Sequence, residues 1–210
     1  MSKAVDEQRI FFTSNTIQIE GLIGLTSGDR GVVITHPHSL YGGSMHNNVV
    51  ESLVRVYQRA GYSTLRFNFR GVGSSQGEYD GGLGEQQDVR SALQYLSGKG
   101  KTGIDLAGYS FGAWVNAMMG ASGDTFERMI MVSPPVAFLE FPSVQLSPQL
   151  ELVIAGSRDQ IAPVEFIRTL LPAWNPRAVL HVIEGADHFY GGYTDELERI
   201  MEAYLKTEGD

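Results

Sequence analysis

The chain contains no cysteine. That excludes a disulfide framework, a thiolate metal site and a cysteine nucleophile. Basic residues are also scarce: 16 Lys and Arg stand against 24 Asp and Glu, a formal net charge of −8. Nucleic acid and anionic membrane both reward clustered Lys and Arg, so neither is expected as a partner. No apolar run is long enough to span a bilayer. Residues 1–7 lack the apolar centre of a signal peptide, so a cytoplasmic location is expected. There is no internal repeat, low-complexity tract or linker. What remains is an ordinary globular composition, 42% hydrophobic over 210 residues, which fits one domain over residues 1–210.

Glycine is plentiful, and it sits between short apolar segments. Ile10–Thr13 and Thr16–Leu25 read as strands joined at Ser14-Asn15, and Val32–Thr35 as a short buried strand. A helix is expected over about 46–60, with Val49, Leu53, Val54, Val56, Tyr57 and Ala60 on a broad apolar face and Gly61 ending it. Strand 64–69 alternates cleanly, and a helix follows from about Leu83 to Ser97. Further strands are expected at 104–107, 128–132, 151–155 and 178–183. Helices should follow at 113–119, from Pro163 to near Pro172, and at 194–205. Strands alternating with helices imply a doubly wound, mainly parallel α/β sheet with helices on both faces. Functional residues should then collect at the C-terminal ends of the strands.

The chemistry centres on Gly108-Tyr109-Ser110-Phe111-Gly112. It reads G-x-S-x-G, a nucleophile elbow, and lies between a strand and a helix as that motif requires. The turn holds the serine in a strained conformation, and side chains at 108 and 112 would collide with it. The helix start aims N–H groups at an oxygen site, so the Phe111 N–H is expected to hold an oxyanion.

A serine hydroxyl needs a base, and the base an orienting acid. Asp159 and His188 lie in loops directly after two later strands, on the same edge as Ser110. The order Ser110, Asp159, His188 matches one known order of such triads. Other histidines fit less well. His181 is mid-strand and is expected to point into packing. His36 and His38 form an H-x-H pair without a third ligand of convincing spacing, so no metal and no cofactor is expected. The second oxyanion donor should come from the loop after Val32–Thr35, at His38 or Leu40. Gly71-Val72-Gly73 and Gly100-Lys101-Thr102 resemble phosphate loops, but their flanking segments do not fit.

Together these stretches resemble the α/β-hydrolase superfamily, close to its compact dienelactone-hydrolase-like group of predicted serine hydrolases. The resemblance rests on His36-Pro37-His38 with Leu40–Gly43, Leu65–Gly73, Gly108–Gly112 and Gly185–Phe189, and spans nearly the whole chain. It implies Ser110 as nucleophile, Asp159 as acid and His188 as base. The expected activity is hydrolysis of an ester, thioester or similar small acyl substrate through an acyl-enzyme. The alternatives are an acyltransferase using the same triad and a non-catalytic binding protein on this fold. Only residues 134–149 could form a lid, so little or no lid is expected over a pocket lined by Tyr41, Phe138, Phe189 and Tyr190. Trp114 is read as core packing.

Overall fold

The computed structural model describes residues 5–141 and 147–207. Eight strands form one sheet: β1 (Gln8–Ser14), β2 (Ile17–Gly24), β3 (Arg30–Thr35), β4 (Ser63–Phe67), β5 (Gly103–Tyr109), β6 (Met129–Val132), β7 (Leu150–Gly156) and β8 (Val179–Ile183). Their spatial order is β1-β2-β4-β3-β5-β6-β7-β8. β1 and β2 form an antiparallel hairpin, β2 pairs antiparallel with β4, and every later pairing is parallel. Asn15, with φ of 52°, turns the hairpin, a conformation asparagine tolerates better than most residues.

The central strands are apolar on both faces because helices cover both. Val32 and Ile34 of β3 point into one core, Val33 into the other. The first core is closed by α1 (Asn48–Arg59) and α5 (Thr194–Thr207). The second is closed by α2 (Leu83–Ser97), α3 (Phe111–Ala121) and α4 (Val164–Trp174). Asn47 caps α1 by accepting the Val49 N–H at 2.9 Å, and Gly61, at φ 85°, ends it. Of the apolar face expected there, Val49, Leu53, Val54, Val56 and Tyr57 are buried and Ala60 is exposed. No helix among the described residues is long and apolar enough to cross a membrane.

Two expectations fail locally. His181 is exposed rather than packed, because among the described residues β8 pairs only with β7 and forms the sheet edge. Helix α4 does not stop at Pro172 but runs to Trp174. The buried Trp174 packs on Phe141, and Asn175 N–H still reaches Leu171 O at 3.0 Å.

The N-terminal ends of the strands carry a polar clasp. Arg128 and Asp105, both buried, pair at 2.7 Å, and Arg128 also donates to the Tyr62 hydroxyl at 2.6 Å. Arg30 donates to the same hydroxyl at 2.8 Å. An open cavity of about 420 Å³ lies beside this clasp, at the opposite end of the strands from Ser110.

Candidate active site

Ser110 lies between the last residue of β5 and the first of α3, with φ 54° and ψ −119°. This is backbone that a non-glycine residue adopts only under constraint. The constraint is visible on both sides. A Cβ on Gly108 would lie 2.5 Å from Asn116 Nδ2 and 2.7 Å from the Ala113 nitrogen. A Cβ on Gly112 would lie 2.6 Å from Thr35 Oγ1 and 2.7 Å from the Thr35 carbonyl carbon. The elbow is therefore pressed against the end of β3, and only glycine fits at either position.

Asp159 follows β7 and His188 follows β8. The structure brings both to Ser110 in one chain of hydrogen bonds. Ser110 Oγ is 2.9 Å from His188 Nε2, and His188 Nδ1 is 2.8 and 3.0 Å from the two Asp159 carboxylate oxygens. Asp159 Oδ1 also accepts the N–H groups of Ile161 at 2.9 Å and Ala162 at 2.8 Å. All three side chains are buried. Burial works to raise the Asp159 pKa, but His188, the adjacent Ser133 hydroxyl and the Ala162 N–H outweigh it and hold the carboxyl below its ordinary value. A charged Asp159 can only accept, so His188 Nδ1 carries the proton and Nε2 is free to accept from Ser110.

The backbone of His188 is held as well. Tyr109 donates its hydroxyl proton to the His188 carbonyl oxygen at 2.6 Å. Burial first, then Asp159 and Asp187, raise the pKa of that phenol, so it stays a donor.

Around the elbow, the two loop candidates separate. Leu40 N–H donates to His38 Nδ1 at 3.3 Å within a short turn over Ser39–Tyr41. The N–H groups of His38 and Phe111 have no partner among the described residues. The His38 ring packs 4.6 Å from Phe111, 4.9 Å from Tyr41 and 5.1 Å from Tyr79. His36 turns both ring nitrogens to backbone: Nδ1 meets Pro37 O at 2.6 Å, and Nε2 accepts the Phe69 N–H at 3.0 Å. It therefore has no ring nitrogen to share with His38 in a metal site.

Tyr41, Phe138 and Phe189 are exposed at 86%, 71% and 67%, and all three follow strand C-terminal ends. Tyr190 does not line a pocket. It is fully buried, because a φ of 56° turns it inward to meet Ser133 Oγ at 2.8 Å. Trp114 is half-buried and donates its indole N–H to the Glu140 carbonyl at 2.8 Å, so packing is only part of its role. Of the segment considered for a lid, residues 142–146 lie outside the described residues. Ser133 and Tyr109 escaped the sequence reading. Ser133 directly follows a strand, and a lone serine there carries no motif.

No family model matches the chain. It is 30% identical to an uncharacterised protein of Rickettsia prowazekii over 211 residues, which covers 95% of this chain and 89% of that protein. Among solved structures, an alpha-beta serine hydrolase homologue from Coxiella burnetii is 33% identical, with a TM-score of 0.88 over 97% of this chain and all of the other. A serine hydrolase from Xanthomonas campestris, described as without lid, is 27% identical, with a TM-score of 0.87 over 99% of this chain and 97% of that one. With the strand order and elbow described above, these likenesses establish that the chain belongs to the α/β-hydrolase superfamily, as a hydrolase of that fold.

Proposed function

We propose that the chain is a serine hydrolase that cleaves esters, thioesters or similar small acyl substrates through an acyl-enzyme. The observation that carries this reading is the unbroken chain from Ser110 Oγ through His188 to Asp159, at 2.9 Å and 2.8 Å. In this reading His188 Nε2 takes the Ser110 proton as Oγ attacks the acyl carbonyl. Asp159 holds the tautomer and stabilises the imidazolium. The N–H groups of Phe111 and His38, both without another partner, receive the oxyanion. Such donors, fixed before the reaction, are commonly the largest single contribution to rate. His188 then returns its proton to the leaving group. A water, activated by the same Nε2, attacks the acyl carbon and frees Ser110.

The loop after β3 favours an uncharged acyl group. The segment 36–44 carries no Lys, Arg, Asp or Glu, and presents Leu40 and Tyr41 to solvent.

The test is labelling with a fluorophosphonate, with wild type compared to Ser110→Ala and His188→Ala. Labelling that disappears in both variants is expected. Folded wild type that resists the probe would refute the activated serine.

A further inference from the structure

His38 enters the proposed mechanism through its backbone alone. Its side chain is half-buried at the start of the loop after β3, and it gathers that loop around itself. Nδ1 accepts the Leu40 N–H at 3.3 Å. The His38 carbonyl oxygen accepts the N–H groups of Tyr41 at 3.0 Å and Gly43 at 3.1 Å. The loop closes so tightly that a Cβ on Gly43 would lie 2.1 Å from Pro37 O. The peptide that carries the His38 N–H is held at its oxygen too, since Pro37 O meets His36 Nδ1 at 2.6 Å.

The same side chain touches the other proposed donor. The His38 ring packs 4.6 Å from the ring of Phe111. Elsewhere the chain gives the local task to asparagine. Asn47, at φ −63° and ψ 143°, accepts the N–H two residues on, that of Val49, at 2.9 Å. His38, at φ −58° and ψ 123°, likewise accepts the N–H two residues on. Asparagine is the commoner choice for such a cap. Histidine adds a flat ring that reaches Phe111.

We propose that the His38 side chain is a positioning residue for the oxyanion site: by accepting the Leu40 N–H on Nδ1, it fixes the direction of its own backbone N–H relative to that of Phe111. The proposal rests on the serine-hydrolase reading for its effect on rate, though not for the cap itself. An acceptor at Nδ1 requires a neutral ring with its proton on Nε2, which faces the Tyr79 hydroxyl 3.5 Å away. Burial favours that neutral ring and lowers the His38 pKa, against the pull of Glu85. Without the Nδ1 bond the turn relies on the carbonyls of Pro37 and His38.

The test compares two variants of the full chain, each checked for folding by thermal unfolding. His38→Phe keeps a ring against Phe111 and loses the acceptor. His38→Asn keeps the acceptor and loses the ring. kcat and KM are measured on a p-nitrophenyl ester. The oxyanion is fully formed only past the ground state, so a misdirected donor should lower kcat and leave KM in place. His38→Phe is expected to lose roughly tenfold to a hundredfold in kcat, with KM within about twofold of wild type. His38→Asn, with the acceptor back, should regain most of that loss. Equal losses in both variants would make ring packing the cause, and no loss in either would make the side chain idle. Each result overturns the proposal, as does a rise in KM with kcat unchanged. A second readout needs no turnover. Nitrogen NMR of the labelled chain gives the His38 tautomer, its ring signals identified by their loss in both variants. A proton on Nε2 is expected, with a Leu40 amide signal that moves in His38→Phe. A proton on Nδ1 refutes the cap whatever the activity. If wild type is inactive but the tautomer is as expected, the cap stands and the hydrolase reading fails.

Discussion

His36→Gln tests how the loop carrying His38 is anchored. The His36 ring is fully buried and bridges two backbone segments, donating from Nδ1 to Pro37 O at 2.6 Å and accepting the Phe69 N–H on Nε2 at 3.0 Å. A proton on Nε2 would set one N–H against another. Burial pushes the pKa down from 6.5 to about 4; the Pro37 bond opposes this, and neighbouring His38 adds to it. The unfolded chain therefore binds a proton near pH 6.5, the folded chain only near pH 4. The stability that neutral His36 contributes is fully present above pH 6.5 and drains as pH falls toward 4. At 1.36 kcal/mol per pKa unit, that is about 3 kcal/mol in all, of which about 2 kcal/mol is gone by pH 5. Glutamine can place an amide oxygen near the Nε2 position, accept from Phe69 and not titrate. Urea unfolding of both proteins between pH 7.5 and 5 isolates the effect, because every other titrating group is common to the two. Wild type should lose about 2 kcal/mol more than His36→Gln over that range. Parallel stability curves would refute the neutral, proton-excluding His36.

Two further outcomes follow from packing and charge. Arg128→Met strands the Asp105 carboxylate, which is 1% exposed on its side chain, and should cost about 3–5 kcal/mol in urea unfolding. Adding Asp105→Leu should recover most of that loss, since the desolvated charge is then gone as well. Gly112→Ala sets a methyl 2.6 Å from Thr35 Oγ1 and 2.8 Å from His36 O. Thermal unfolding should show a loss of roughly 1–3 kcal/mol or more, and an unchanged midpoint would contradict the close approach of elbow and β3.

Much of this was legible in the sequence, for physical reasons. The alternation of strand and helix carries its own periodicity, so the doubly wound sheet was readable. The elbow was readable because its two glycines answer a local steric demand. The chain order of Ser110, Asp159 and His188 suggested a meeting that topology then supplies. What stayed hidden depends on long-range facts. Nothing in Val179–Ile183 marks it as the sheet edge, so His181 reads like an inward residue. Nothing beside Tyr190 announces a positive φ, so its ring reads as pocket lining although it lies in the protein interior. The competition between His38 and Leu40 depends on which N–H the short turn consumes, a matter of ångströms rather than residue type. Ser133 carries no signal in the sequence, because a lone serine at a strand end belongs to no motif, while the structure buries its hydroxyl against Tyr190.

The left-handed backbone at Ser133 also bears on how such a chain changes over generations. A serine held at φ 45° costs of order 1–3 kcal/mol that glycine would not. Selection for heat resistance alone would therefore favour glycine at 133, and random mutation would find it readily, since most natural chains sit well short of their stability optimum. A lineage that keeps serine there accepts a lower melting point in exchange for the hydroxyl. Position 133 is thus a place where an unstrained backbone and a buried hydrogen bond to Tyr190 pull in opposite directions.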